Sequence, residues 1–243
     1  ETDVISLQSF IKELHEQSNS CVQPAEEWLL DHSEFLEAEF VGIQEEITSL
    51  RAHSLVSVRV NGDSRLRVSL ISESYLEHTD GLLDEEAFLA FFMAYQEVSV
   101  ISIAEAWAIP LFMRIALIRR LARIIEPVRE RNAICKVVKR VLSGIPTDEL
   151  TPERLKRALD EMNVELPLSG AMIVHLVKHL REQAENTAHI GEWLLCKLEN
   201  RPETLDAILS YEYQLQSEYQ VSTGNVISSL RKLTRWTWSE LFE

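Results

Sequence analysis

Apolar residues recur at intervals of three and four along most of this chain, the spacing that puts them on one face of an α-helix. Pro and Gly interrupt the pattern sparsely, and the segments between them predict about ten helices. Pro24 opens one that turns Trp28, Leu29, Phe35, Leu36 and Phe40 inward, with carboxylates over nearly all of its polar side. Asp84 is placed to cap the helix of Phe88, Leu89, Phe92 and Tyr95, and Glu85 and Glu86 then lie at its positive end. Thr151-Pro152-Glu153 predicts another start, with Pro at the first helical position, where its missing N–H has no partner to lose. Arg201 and Pro202 separate a helix ending near Glu199 from one carrying Leu205, Ile208, Leu209 and Tyr213. The expected fold class is all-α: a compact multi-helix domain arranged largely as helical hairpins, with residues 1–243 forming a single domain.

One stretch changes period. Val56 to Val60 and Asp63 to Leu70 alternate apolar and polar positions on either side of Asn61-Gly62, a dipeptide that favours hairpin turns. Against a hairpin, Leu66, Leu70, Ile71 and Leu76 form a helical stripe over residues 65–78, which would leave the preceding segment as a surface loop. The loop followed by a helix is the preferred reading.

Composition agrees with long helices. Only seven of 243 residues are glycine, roughly half the usual share. Apolar residues make up 46%, enough for a buried core. The net charge of −15 repels phosphate backbones and argues against a nucleic-acid partner. That charge is uneven: residues 1–50 hold twelve carboxylates against Lys12, whereas residues 111–142 hold nine bases against Glu126 and Glu130. A basic helical pair inside an acidic protein calls for a counter-surface. Salt links to the acidic N-terminal helices would supply one; an acidic partner domain or anionic headgroups would supply another.

Cys21, Cys135 and Cys196 are odd in number and widely spaced, which fits a reducing compartment better than a disulfide framework or a zinc ribbon. The chain has no initiator Met and begins and stops in helix-like sequence, as a piece of a longer protein would. The apolar stretch Val98 to Ile118 is interrupted by Glu105 and Arg114, leaving charge-free runs of seven and eight residues where a bilayer span needs about 18 to 20.

Candidate chemistry is thin. His175 and His179 share a helix face at a zinc-site spacing, but Leu-Val-Lys lies between them, without the Glu of a metalloprotease. His78, Asp80, Gly81 and Asp84 miss the oxygen spacing of a calcium loop and read as a turn plus a helix cap. No Gly-rich phosphate loop, nucleophile elbow, Cys-x-x-Cys or Asp-x-Asp occurs, and no catalytic, cofactor-binding or metal-binding residue is assigned. Trp107, Trp236 and Trp238 are candidates for stacking on sugar rings. Core packing is the better expectation for Trp107. Trp236 and Trp238 stand two apart, so a helix cannot bury both on one face. A weak echo pairs Glu-Glu-Trp-Leu-Leu at Trp28 and the segment ending at Arg51 with Gly-Glu-Trp-Leu-Leu at Trp193 and the segment ending at Arg231, at unequal offsets that give no repeat period.

Three pieces of sequence carry a family resemblance: PAEEWLLDHSEFLEAEF from Pro24 to Phe40, the block from His78 to Ile124, and VSTGNVISSLRKLTRWTWSELFE at the C-terminus. In this order they resemble the N-terminal region of cyclic β-1,2-glucan synthases. The stretches Val56 to Asp63 and Ser143 to Pro167 depart from the family's pattern. The resemblance implies a bacterial inner-membrane enzyme that builds β-1,2-glucan from UDP-glucose with a divalent metal, and whose metal-binding aspartates would lie beyond Glu243. It makes this segment a non-catalytic helical accessory domain on the cytosolic side, partnered by the remaining domains of the synthase. Docking, or contact with β-1,2-glucan, would then involve Arg119, Arg120, Arg123, Trp236 and Trp238. A glucan-binding module and a stand-alone helical scaffold are the alternatives.

Overall fold

The computed structural model describes residues 2–16, 22–50, 54–146, 149, 151–162, 168–182, 192–196, 204–236 and 238. Its elements in chain order are α1 Thr2–Glu16, α2 Pro24–Asp31, α3 Ser33–Ser49, β1 Ser57–Val60, β2 Asp63–Leu66, α4 Arg67–His78, α5 Glu85–Val98, α6 Ile103–Ser143, α7 Pro152–Glu161, α8 Gly170–Glu182 and α9 Leu205–Leu233. Residues 192–196 form a further helical stretch. The all-α expectation holds among the described residues, with one two-stranded sheet added. Cys21, Arg51, Glu199, Arg201 and Pro202, and the predicted boundary near them, lie outside the described residues.

The chain divides into two compact units. The first comprises residues 1–17, 25–126 and 219–243, and the second residues 18–24 and 127–218. Each has its own apolar cluster. In the first, α6 is buried on several sides: Ile109, Met113, Leu117, Ile118 and Leu121 are at most 1% exposed, and Leu29, Leu36, Phe88, Ile227 and Leu230 complete the cluster. The second is built on Leu155, Leu159, Ile173, Leu176 and Leu194, with Val138 and Leu142 from the far end of α6. α6 gives its residues up to Glu126 to the first unit and those from Pro127 on to the second. Where the sequence suggested a basic helical pair, a single helix of 41 residues runs through Pro110 and Pro127. None of the described helices is long and apolar enough to cross a membrane.

Two further expectations need correction. The helix opened by Pro24 breaks at His32, whose φ of −120° and ψ of 13° leave the helical region and start α3 afresh. Side chains compete with the backbone there: His32 Nδ1 donates to Trp28 O at 2.9 Å, its ring stacks on Trp28, and Ser33 Oγ donates to Leu30 O at 2.9 Å. The polar side is also less exposed than the pattern suggested, since Glu26 and Glu39 are buried.

The second correction is the hairpin. β1 and β2 pair antiparallel, Val60 opposite Asp63 and Ser57 opposite Leu66. Asn61 (φ 53°) and Gly62 (φ 94°) both take the left-handed conformation that a two-residue turn of primed type requires, so its twist matches that of the strands. The Arg67 N–H donates to Val56 O at 2.8 Å, carrying the ladder up to the first residue of α4. The preferred surface loop is therefore a hairpin, and the helix follows it from Arg67 rather than Arg65.

Three local expectations are met, the caps at Asp84 and Thr151 and the turn at His78 to Gly81. Asp84 Oδ1 accepts from Ala87 N–H at 2.9 Å as the N-cap of α5. Gly81, at φ 72°, closes α4 by donating to Leu76 O at 2.9 Å, and Asp80 beside it is also left-handed. His78 donates to Ser74 O, so the quartet from His78 to Asp84 is a turn and a cap. Thr151 Oγ1 caps α7 by accepting from Arg154 N–H at 3.3 Å.

Candidate docking and binding surfaces

The arginines singled out on α6 face carboxylates of their own unit. Arg114 Nε donates to Glu39 Oε2 at 2.7 Å and its Nη1 to Glu46, both on the acidic N-terminal helix α3. The next three cations meet α4 and the turn after it. Arg119 Nη1 donates to Glu73 Oε1 at 3.0 Å, Arg120 pairs with Asp80, and Arg123 Nη1 lies 3.7 Å from Glu77 Oε1. Asp80 also accepts from Ser222 Oγ of α9. These four arginines of the basic stretch thus find an internal counter-surface. Arg119 and Arg123 keep 42% and 61% of their side-chain surface in solvent, enough for a second partner, whereas Arg120 keeps 19%.

The tryptophans divide differently from expectation. Trp236 and Trp238 are both half-buried on the Phe88 ring, at centroid distances of 5.8 and 5.9 Å, and 5.4 Å from each other. The i, i+2 objection applies inside a helix, but α9 has ended at Leu233 and the chain turns both indoles back. Trp238 Nε1 donates to Leu233 O at 3.4 Å. Trp107, expected in the core, is 68% exposed. Its helical face is the one that Ile103 opens, four residues earlier and 79% exposed, just after Val98 and Val100 at 88% and 78%.

The loop between α5 and α6 holds this apolar surface from beneath. Arg67 Nε donates to Glu105 Oε1 at 2.9 Å, its Nη1 to Ser99 Oγ at 2.7 Å and its Nη2 to Val100 O at 3.0 Å. Glu105, wholly buried, also accepts from the Ser102 N–H at 3.0 Å and hydroxyl at 2.9 Å. Burial alone would raise the Glu105 pKa. The Arg67 guanidinium and the Ser102 donors outweigh it and hold the carboxyl below its ordinary value. The polar groups of this loop are spent inward while Val98, Val100, Ile103 and Trp107 face water, the reverse of an ordinary surface loop. The only sequence signal for this arrangement was Glu105, a lone charge in an apolar run.

The second unit carries a groove of about 500 Å³ between residues 22–24, α8 and α9. His175, Lys178 and Arg181 line it from α8, and Tyr213 and Gln216 from α9. Burial and then the Lys178 and Lys139 ammonium groups hold the His175 pKa below the usual imidazole value. His179, its partner in the sequence motif, is not among the lining residues. No group of three His, Cys, Asp or Glu side chains among the described residues is placed to hold a metal.

No family model matches this chain. A search of curated proteins finds it similar to the cyclic β-(1,2)-glucan synthase NdvB of Rhizobium meliloti (strain 1021), 25% identical over 231 residues. The match takes in 93% of this chain and only 8% of that protein's length. The resemblance carried by the Pro24, His78 and C-terminal pieces is therefore found across nearly the whole sequence, and it is to a segment of a far longer synthase.

Proposed function

We propose that this chain is a non-catalytic helical accessory segment of a cyclic β-1,2-glucan synthase, docking on the remaining domains of an enzyme that transfers glucose from UDP-glucose into β-1,2-glucan at the cytoplasmic face of a membrane. The observation that carries this reading is similarity over 93% of the chain to a small part of a synthase. The fold leaves surface open for such docking, since Arg119 and Arg123 keep part of their side chains in solvent although they face Glu73 and Glu77. Docking would use Arg119 and Arg123, still open to solvent, and a separate apolar surface at the start of α6, Ile103 and Trp107. Trp236 and Trp238 serve it by anchoring the C-terminal end of the described chain on Phe88.

The test is a transplant. This chain would replace the corresponding segment of the Rhizobium meliloti synthase, with glucan synthesis and yield of intact enzyme both measured. Deletion of the segment is expected to lower assembled enzyme, and the transplant to restore it. Normal synthesis by the deletion enzyme would refute the accessory role.

Exposure of Trp107 favours a second reading, a glucan-binding module that stacks a pyranose on that indole. Titration with linear β-1,2-glucan should then change the tryptophan fluorescence of the parent chain and not of Trp107→Ala. An unaltered spectrum at saturating glucan would remove that reading and leave docking.

A further inference from the structure

The groove of the second unit is not used by the docking reading, and its lining is unlike the rest of the molecule. In a chain of net charge −15, its charged lining side chains, Lys178 and Arg181, are all basic. They stand three apart on α8, so both reach the same side of the groove. Among the described residues neither has a carboxylate partner, in contrast to the arginines of α6. From α9 the lining adds neutral hydrogen-bonding residues, Gln216 and Tyr213, and Val174 and Val177 of α8 add apolar surface. A volume of about 500 Å³ is several times what a lone phosphate fills and lies within the usual range for small organic ligands.

We propose that this groove binds a phosphate monoester of a sugar, with Lys178 and Arg181 on the phosphate and Gln216 and Tyr213 on the hydroxyls. A guanidinium and an ammonium together match a dianion, one through two fixed N–H groups and the other as a point charge. The neutral wall then selects the sugar. His175 supplies an internal reporter. The groups facing it are cationic, Lys178 from α8 and Lys139 from α6, and both disfavour its protonation. A phosphate dianion between Lys178 and Arg181 reverses that field, so ligand binding should raise the His175 pKa and draw a proton onto the ring.

The experiment uses the whole 243-residue chain and three probes: glucose 6-phosphate, inorganic phosphate and glucose. Calorimetry measures affinity, and the His175 ring resonance is followed against pH with and without each probe. Glucose 6-phosphate should bind, shift the His175 titration upward and bind more tightly than inorganic phosphate, while glucose alone leaves the titration unmoved. Lys178 and Arg181 are exposed, so the double variant Lys178→Ala/Arg181→Ala should fold normally and bind at least about tenfold more weakly. Gln216→Ala should weaken glucose 6-phosphate and leave inorganic phosphate unchanged. Equal affinity for the two phosphates overturns the sugar assignment. No binding by either, or full binding by the folded double variant, overturns the site. These outcomes leave the accessory reading untouched, because the transplant depends on other surfaces.

Discussion

Glu105 decides how the loop between α5 and α6 is held, because it is wholly buried and meets the Arg67 guanidinium through two carboxylate oxygens. A buried pair of this kind is costly to break from one side, since the surviving charge is left without compensation. Glu105→Gln should therefore cost about 3 kcal/mol at neutral pH, read from the urea midpoint. The pH dependence follows from the sign of the shift. The folded pKa of Glu105 lies below its ordinary value, so its stabilisation is complete above the unfolded carboxylate pKa of about 4.3 and fades as pH falls through the folded value. Between neutral pH and about pH 3 the parent should lose more stability than Glu105→Gln. A difference between parent and variant that stays constant over that range would show that the carboxylate carries no linked proton. At this scale the sequence was half legible. Glu105 stood out as a charge in an apolar run, but nothing in the run disclosed that Trp107, two residues on, would face water. Both orientations satisfy a helix whose early turns are apolar all round.

Among the elements, helix starts were the most readable, because a cap is a short-range device: Asp84 and Thr151 each accept a backbone N–H three residues ahead, as their neighbours in sequence imply. The hairpin was ambiguous for a physical reason. Leu66 fits both the period-two alternation before it and the helical stripe after it, and the left-handed Asn61-Gly62 turn is what assigns it to β2. The break at His32 left no trace in the apolar pattern, because Leu29 and Leu36 are buried with or without it. Two glycines separate backbone strain from packing. Gly62 has φ 94° and open space where a methyl group would sit, so Gly62→Ala meets only the left-handed penalty, about 1 to 2 kcal/mol. Gly81 has φ 72°, and an added Cβ would lie 2.9 Å from Val226 Cγ2 and 3.0 Å from the Arg120 side chain. Gly81→Ala should accordingly lower the thermal midpoint by clearly more than Gly62→Ala. Equal losses would mean that the contact between the α4 turn and α9 yields at no cost.

For the whole molecule, the all-helical class followed from glycine poverty and the three-four spacing, yet the division into two units did not. The apolar stripe of α6 continues past Pro127 with no change of period, and the boundary lies in which partners it meets: Leu117 and Leu121 in one cluster, Val138 and Leu142 in the other. Partner choice is a long-range property that a single sequence does not display. The internal use of charge was legible in outline, as a basic stretch needing a counter-surface, but half of that surface came from α4 rather than from the N-terminal helices. Separate clusters predict separable stability. Leu176, 0% exposed in the second cluster, and Leu117, 0% exposed in the first, offer matched probes. Each change to Ala should cost about 2 to 5 kcal/mol in its own cluster. Hydrogen exchange read by mass spectrometry should then show faster exchange in α7, α8 and residues 127–143 for Leu176→Ala, with α4 and α5 as protected as in the parent. Leu117→Ala should produce the complementary pattern. If either variant speeds exchange equally in α5 and α8, the two clusters unfold as one cooperative body, and the contacts that define the units carry no independent stability.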